Sequence, residues 1–184
     1  MINRFLTGLL DLLLPRHCFG CRRREIILCE KCAEGREPAP PLDAPETYAL
    51  FAYHDEMVKR MIWALKYREN RALGAALGAR LYDDLAEELA DASMLGGGER
   101  RFFIVPIPLS PTRARKRGYN QALMIAQGFA SRANRNGNFI VVENLLRRVR
   151  DRGPQTAIRS RQKRLANVRG IFAAGDSALI CGKQ

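Results

Sequence analysis

Two stretches of the chain carry residue types that can do chemistry. In "CFGCRRREIILCEKC", Cys18, Cys21, Cys29 and Cys32 stand as two C-x-x-C pairs with seven residues between them. Each such turn points two sulfurs at one place, and two facing turns make a tetrahedral four-thiolate site of the kind zinc takes. Four thiolates around Zn²⁺ leave a surplus of negative charge, and Arg22, Arg23, Arg24 and Lys31 lie in or beside the turns to offset it. No coordination position stays open, so the expected role is a structural staple for a segment too short to build a core of its own. A redox dithiol or disulfide pair is the alternative chemistry, and contact of Arg22, Arg23 and Arg24 with nucleic acid is the alternative role.

The second stretch, "TRARKRGYNQ" at 112–121, packs Arg113, Arg115, Lys116 and Arg117 into five positions and then turns to Gly118, Tyr119, Asn120 and Gln121. Such a density of cations attracts phosphate, in nucleic acid or in a small phosphorylated metabolite; a solvated basic loop is the third reading. Gly118 allows close backbone approach. Asn120 stands where it would cap a helix starting near Gln121, whose free N–H groups suit an anion. Capping and ligand contact account equally well for Asn120.

Charge is divided unequally between the halves. Residues 1–100 hold 14 Lys and Arg against 16 Asp and Glu, residues 101–184 hold 17 against 3, and the whole chain carries +12. The field that attracts polyanions therefore belongs to the second half. At 184 residues, 47% hydrophobic and 27% charged, the composition is that of a soluble globular protein with room for one ordinary domain beside a small module. No run approaches the roughly 20 apolar residues of a membrane span. "MINRFLTGLLDLLLP" does not read as a signal peptide, because Asp11 interrupts the apolar run, Pro15 and Arg16 end it, and no small-residue cleavage site follows. It is predicted to be a short amphipathic helix with Phe5, Leu9, Leu12 and Leu13 on one side, docked on its own protein in the cytoplasm. Cys181 stands alone and reads as a small buried hydrophobe.

The elements that must position the basic tract follow from periodicity. Residues 1–36 form the leucine-rich helix and cysteine module, the proline-rich 37–46 a linker, and 47–184 the larger domain. "YALFAY" at 48–53 reads as a strand, with Asp55 capping a helix that buries Met57, Val58, Met61, Ile62 and Leu65 and turns Lys59, Arg60 and Lys66 away. Leu73, Leu77, Leu81, Leu85 and Leu89 step through a long helix that "MLGGGER" ends. "RFFIVPIPL" has the continuous apolar character of a central strand covered on both faces. A third helix runs from Asn120 to Arg132 on Ala122, Ile125, Ala126 and Phe129, and "NFIVVENLL" supplies another strand. Strand, helix, strand order predicts an α/β fold with a mainly parallel sheet and helices on both faces, and ligands in such sheets sit beyond the carboxyl ends of the strands. The basic tract lies at that edge.

These stretches, with "IWALKYREN" and "GPQTAIRSRQKRLANVRGIF", occur in the order found in the ComF family, and the chain resembles that family over nearly its whole length. The family joins a cysteine zinc module to a type I phosphoribosyltransferase-like domain and is associated with competence for DNA uptake. The resemblance implies a pyrophosphate-side loop in which Arg113, Arg115, Lys116 and Arg117 face phosphoribosyl pyrophosphate, with Gly118, Asn120 and Gln121 shaping the turn. It also implies a mobile cover carrying Gln155, Arg159, Arg161, Lys163, Arg164 and Asn167, of which Arg164 joins the pyrophosphate side. Its implied partners are a nucleotide-like ligand, single-stranded DNA and competence proteins. A zinc-ribbon protein that binds nucleic acid through its positive half, without transferase activity, is the alternative.

Family members continue past the position of Gly182 and Lys183 into a buried strand, two adjacent Asp residues and a Thr-Thr-Gly loop that holds the ribose 5-phosphate. This sequence ends at Gln184, and its sole adjacent Asp pair, Asp83 and Asp84, lies within the leucine-rich helix. The resemblance thus implies a truncated chain that is inactive as a transferase, with Mg²⁺ held only by a full-length form.

Overall fold

The computed structural model describes residues 17–41, 47–94, 101–133, 138–151 and 160–176. The predicted N-terminal helix, the glycine-rich segment at 95–100, Gln155, Arg159 and Cys181 lie outside the described residues. In chain order the elements are α1 (Glu30–Glu34), α2 (Glu56–Tyr67), α3 (Arg71–Met94), β1 (Phe102–Ile104), α4 (Pro111–Arg117), α5 (Gln121–Ala133), β2 (Phe139–Val141), β3 (Leu146–Arg148), α6 (Arg161–Val168) and β4 (Phe172–Ala174).

Helix α2 starts where the Asp55 carboxylate accepts from the Met57 and Val58 N–H groups, at 2.8 and 3.1 Å. Hydrogen bonding from the Val58 N–H, with that from Met57 and the charge of Arg36, holds the Asp55 carboxyl below its ordinary range against the opposing effect of burial. Met57, Val58, Met61 and Leu65 are buried as their spacing predicts. The helix ends at Arg68, Glu69 takes a left-handed φ of 48°, and the Asn70 side chain accepts from Leu73 N–H at 3.0 Å to open α3. Leu73 and Leu77 join the α2 residues in one core, against which Phe19, Ile27 and Leu28 of the cysteine segment pack. Burying one such side chain fully is worth about 1.5–3 kcal/mol.

Helices α3 and α5 lie close enough for backbone to meet backbone. A Cβ on Gly78 would overlap the Ile125 carbonyl, and one on Gly128 would overlap that of Ala75. Glycine is therefore required at both positions by the neighbouring helix. Beyond this contact Tyr82, Phe129 and Phe139 meet edge-on at ring separations of 5.4–6.0 Å, and Phe102 stacks on Phe139 at 4.9 Å. This aromatic cluster joins the helix pair to the strands.

The protein is mixed α/β, with β1 parallel to β2 in the register Phe102↔Phe139, Phe103↔Ile140, Ile104↔Val141. Several expectations are corrected. The described strands form one parallel and one antiparallel pair rather than a single mainly parallel sheet. The antiparallel pair, β3 with β4, was not expected from periodicity. Strand β1 covers three residues, all half-buried, and among the described residues only β2 pairs with it. Residues 48–53 form turns and bends rather than a strand, since the Ala52 N–H is spent on the Glu37 carbonyl at 2.9 Å instead of a ladder. The long helix and the helix after Asn120 form as predicted, at Arg71–Met94 and Gln121–Ala133. Among the described residues no helix is long and apolar enough to cross a membrane.

Candidate metal centre and cationic cleft

Cys18, Cys21, Cys29 and Cys32 come together, with all four sulfurs within 4.8 Å of one another. Cys29 Sγ lies 3.6 Å from the sulfurs of both Cys18 and Cys21. A disulfide needs about 2.05 Å, whereas four Zn–S bonds of about 2.3 Å in a tetrahedron place sulfurs about 3.8 Å apart. The four cysteines are positioned to bind a metal ion, and their spacing suits zinc. Local folding explains the placement. The Cys18 N–H donates to the Arg23 carbonyl and the Arg22 N–H to the Cys18 carbonyl, closing the first turn, and α1 begins directly after Cys29. Gly20 leaves no room for a Cβ between Cys32 Sγ and Met57 Sδ, so the first turn rests on both the second turn and α2.

Burial opposes ionisation of Cys18, but N–H groups of Cys29, Cys21 and Gly20 outweigh it and bring the thiol down to about 6. Hydrogen bonding to Cys29, with burial and the neighbouring sulfurs, pushes Cys32 up to about 12. Crowded thiols thus give up their protons in sequence unless a cation stands between them.

The basic tract forms a helix, α4, where a loop was expected. Buried Ser110 caps it by accepting from the Arg113 N–H at 3.4 Å, Pro111 occupies its first turn, and the Arg115, Lys116 and Arg117 cations complement its C-terminal dipole. Gly118, at φ 71°, ends it in the left-handed region that glycine adopts most readily. Tyr119 is buried and its hydroxyl donates to the Leu65 carbonyl, tying the turn to the end of α2. Burial raises the Tyr119 phenol above its ordinary value despite Arg117, which keeps that donor protonated. Asn120 is a scaffold residue: its Oδ1 accepts from Ala122 N–H at 3.0 Å and its Nδ2 donates to the Ile107 carbonyl at 3.1 Å. Each end of its amide has one such partner, so the cap forms, and the group keeps the capacity for a further donor and a further acceptor contact.

These ties shape a cleft of about 730 Å³ beyond the carboxyl end of β1. Among the described residues five cations line it, Lys66, Arg113, Lys116, Arg117 and Arg148, against the single carboxylate of Glu69. Arg117 donates to Gln121 Oε1 at 3.0 Å and lies 5.8 Å over the Tyr67 ring, so its guanidinium is held in place. Arg148 is fixed by Asp151 at 3.6 Å and by the Arg150 carbonyl. The structure thus brings Arg113, Lys116, Arg117 and Gln121 together. Arg115 is exposed on α4 and is not among the residues that line the cleft. Lys66, expected to turn away, is half-buried in the cleft wall. Arg164, Lys163 and Asn167 lie on α6. The tract gave no sign of Arg148, while Lys66, Tyr67 and Glu69 belong to the "IWALKYREN" stretch whose chemistry was not apparent from spacing.

Compared with protein-family models, with curated proteins and with solved structures, the chain finds no match.

Proposed function

We propose that the chain binds a pyrophosphate-bearing sugar phosphate, phosphoribosyl pyrophosphate or a related ligand, as a ComF-like protein of phosphoribosyltransferase type serving DNA uptake. The observation that carries the reading is the cleft in which Arg113, Lys116 and Arg117 from α4 face Lys66 and Arg148 from other elements, with Glu69 the only opposing carboxylate among the described residues. A surface charge run solvates outward; this one closes on a concave site at a strand's carboxyl end, where α/β folds take ligands. Charge builds on a pyrophosphate as it leaves a sugar, and cations already fixed in place stabilise that state without reorganising. What these residues are assigned is binding of the pyrophosphate. The cysteine site is assigned structural zinc, because all four ligands are sulfur and leave no position for substrate.

Isothermal titration with phosphoribosyl pyrophosphate tests the reading. The wild-type chain should show saturable binding that Lys116→Ala or Arg117→Ala weakens about tenfold or more, the worth of one charge-assisted hydrogen bond. Affinity should depend only shallowly on salt, since a small ligand displaces far fewer counterions than a polymer. Absence of saturable heat from the wild-type chain would overturn it.

A further inference from the structure

A carboxylate in a cleft of cations works against the binding of an anion, and Glu69 is the one that lines this cleft among the described residues. Its backbone sits at φ 48°, in the left-handed region that glycine enters at no steric cost and other residues seldom adopt. The other described non-glycine residues in that region, Arg22 and Glu25, belong to the cysteine turn, so backbone of this kind coincides with the two candidate sites. Such outliers persist where the surroundings hold them, and they gather at ligand sites. At Glu69 the surroundings are the turn after α4. A Cβ at residue 118 would collide with Glu69 Oε1, so Gly118 both ends α4 and leaves room for this carboxylate. Charge balance does not explain the placement, because among the described residues no ion pair takes up Glu69. The two arginines beside this turn are engaged otherwise. Arg71 donates to the Gly118 carbonyl at 3.5 Å and lies 5.4 Å over the Tyr119 ring, while Arg117 donates to Gln121 and lies over Tyr67.

We infer that Glu69 determines specificity: its carboxylate accepts a hydrogen bond from a hydroxyl of the ligand's sugar, so the cleft selects hydroxylated pyrophosphate esters over inorganic pyrophosphate and over alkyl pyrophosphates. An ionised carboxylate only accepts, and ionised phosphate oxygens only accept, so the donor that Glu69 lacks has to lie on the group to which the phosphates are esterified. A sugar supplies it. Toward a pyrophosphate without hydroxyls the same carboxylate is an unpaired negative charge beside the phosphates, so one side chain favours the right ligand and repels the wrong one. The inference rests on the proposed function and adds to it the chemistry that the ligand must carry besides its phosphates.

Isothermal titration of the whole protein with phosphoribosyl pyrophosphate, isopentenyl pyrophosphate and inorganic pyrophosphate, first without added divalent cation, tests it. Glu69→Gly suits the left-handed backbone and removes the carboxylate, so its melting temperature should be no lower than that of the wild-type chain. It should weaken phosphoribosyl pyrophosphate about tenfold or more, the worth of one hydrogen bond to a charged group. The two ligands without hydroxyls should bind it up to about fivefold more tightly, through the loss of one repelling charge. Glu69→Gln, which keeps an acceptor without the charge, should fall between the two. Equal change for all three ligands in Glu69→Gly would overturn the inference while leaving the cleft reading intact. A change of preference that appears only when Mg²⁺ is added would also overturn it, since the carboxylate would then serve the metal ion. Absence of saturable binding of all three ligands to the wild-type chain is the separate result that would remove the proposed function and this inference with it.

Discussion

The cysteine centre and the cationic cleft each crowd groups that repel or react with one another, but they assemble in opposite ways. The cysteine centre is local: its four sulfurs come from 15 consecutive residues, closed by turn hydrogen bonds within the same segment. The cleft is remote: Lys66 ends α2, Arg113 to Arg117 lie on α4, and Arg148 lies on β3. Crowding in the first would be relieved by a metal ion, which the four sulfurs are positioned to bind. Crowding in the second would, on the proposed function, be relieved by a ligand, and the cations are held meanwhile by the surrounding Tyr119, Asn120 and Gln121. A local centre should fail when its ligands are removed; a remote one should fail when the packing behind it is disturbed.

The largest expected effect tests the first half of that statement. Cys18→Ser with Cys21→Ser should reduce bound metal from about one ion per chain to none, with loss of a binding free energy on the order of 10 kcal/mol. Because Phe19, Ile27 and Leu28 pack against the core formed with α2, the melting temperature of the whole chain should fall as well. Binding of phosphoribosyl pyrophosphate, measured well below the new melting temperature, should survive, since neither Cys18 nor Cys21 lines the cleft. Metal content unchanged by the double substitution would refute the four-sulfur site. Equal loss of metal and of ligand binding would refute its separation from the cleft.

The second half is tested at the crossing of α3 and α5, helices that place no cation in the cleft lining among the described residues. In Gly78→Ala or Gly128→Ala the new methyl group overlaps backbone, which cannot rotate aside, so the helices must separate. Overpacking of this kind costs about 1–3 kcal/mol and occasionally more. The displacement is transmitted to the N-terminus of α5, where Asn120 and Gln121 hold the cleft, so ligand affinity should drop together with thermal stability. Stability lost with affinity intact would show that the cleft is positioned by α4 alone.

The same contrast explains what could be read from the chain. Cysteine spacing was legible because the ligands and the turns that aim them share one segment, and the caps at Asp55 and Asn120 were legible because each acts on the next turn of helix. Leucine spacing revealed α3, for the same local reason. Strand pairing was not legible: nothing near Leu146 announces that it will face Ala174, and the apolar run at 102–109 does not reveal that β1 has one neighbour instead of two. Lys66 illustrates the limit best. Its position on an amphipathic helix places it on the polar side, which was read as solvent, but α4 turns that side into the wall of a cleft.

Arg115 and Lys116 give the smallest and most discriminating contrast, because they are neighbours of equal charge on one short helix and only the second lines the cleft. If affinity came from the summed positive field of 101–184, either substitution would act alike, through a charge screened over about 8–10 Å at physiological salt. If it comes from groups fixed around a concave site, Arg115→Ala should change phosphoribosyl pyrophosphate affinity by less than about 0.5 kcal/mol, as for an ordinary exposed position. Lys116→Ala should cost about 1.5–3 kcal/mol through the lost charged contact. Any effect of Arg115→Ala should fade on raising salt, since long-range attraction between exposed charges is screened first. Titration of the two variants at low and high salt separates the cases. Matching losses that vanish together in salt would mean that the tract acts as a diffuse field after all, and that the ordered contacts of Tyr119, Asn120 and Gln121 serve the fold without serving a ligand.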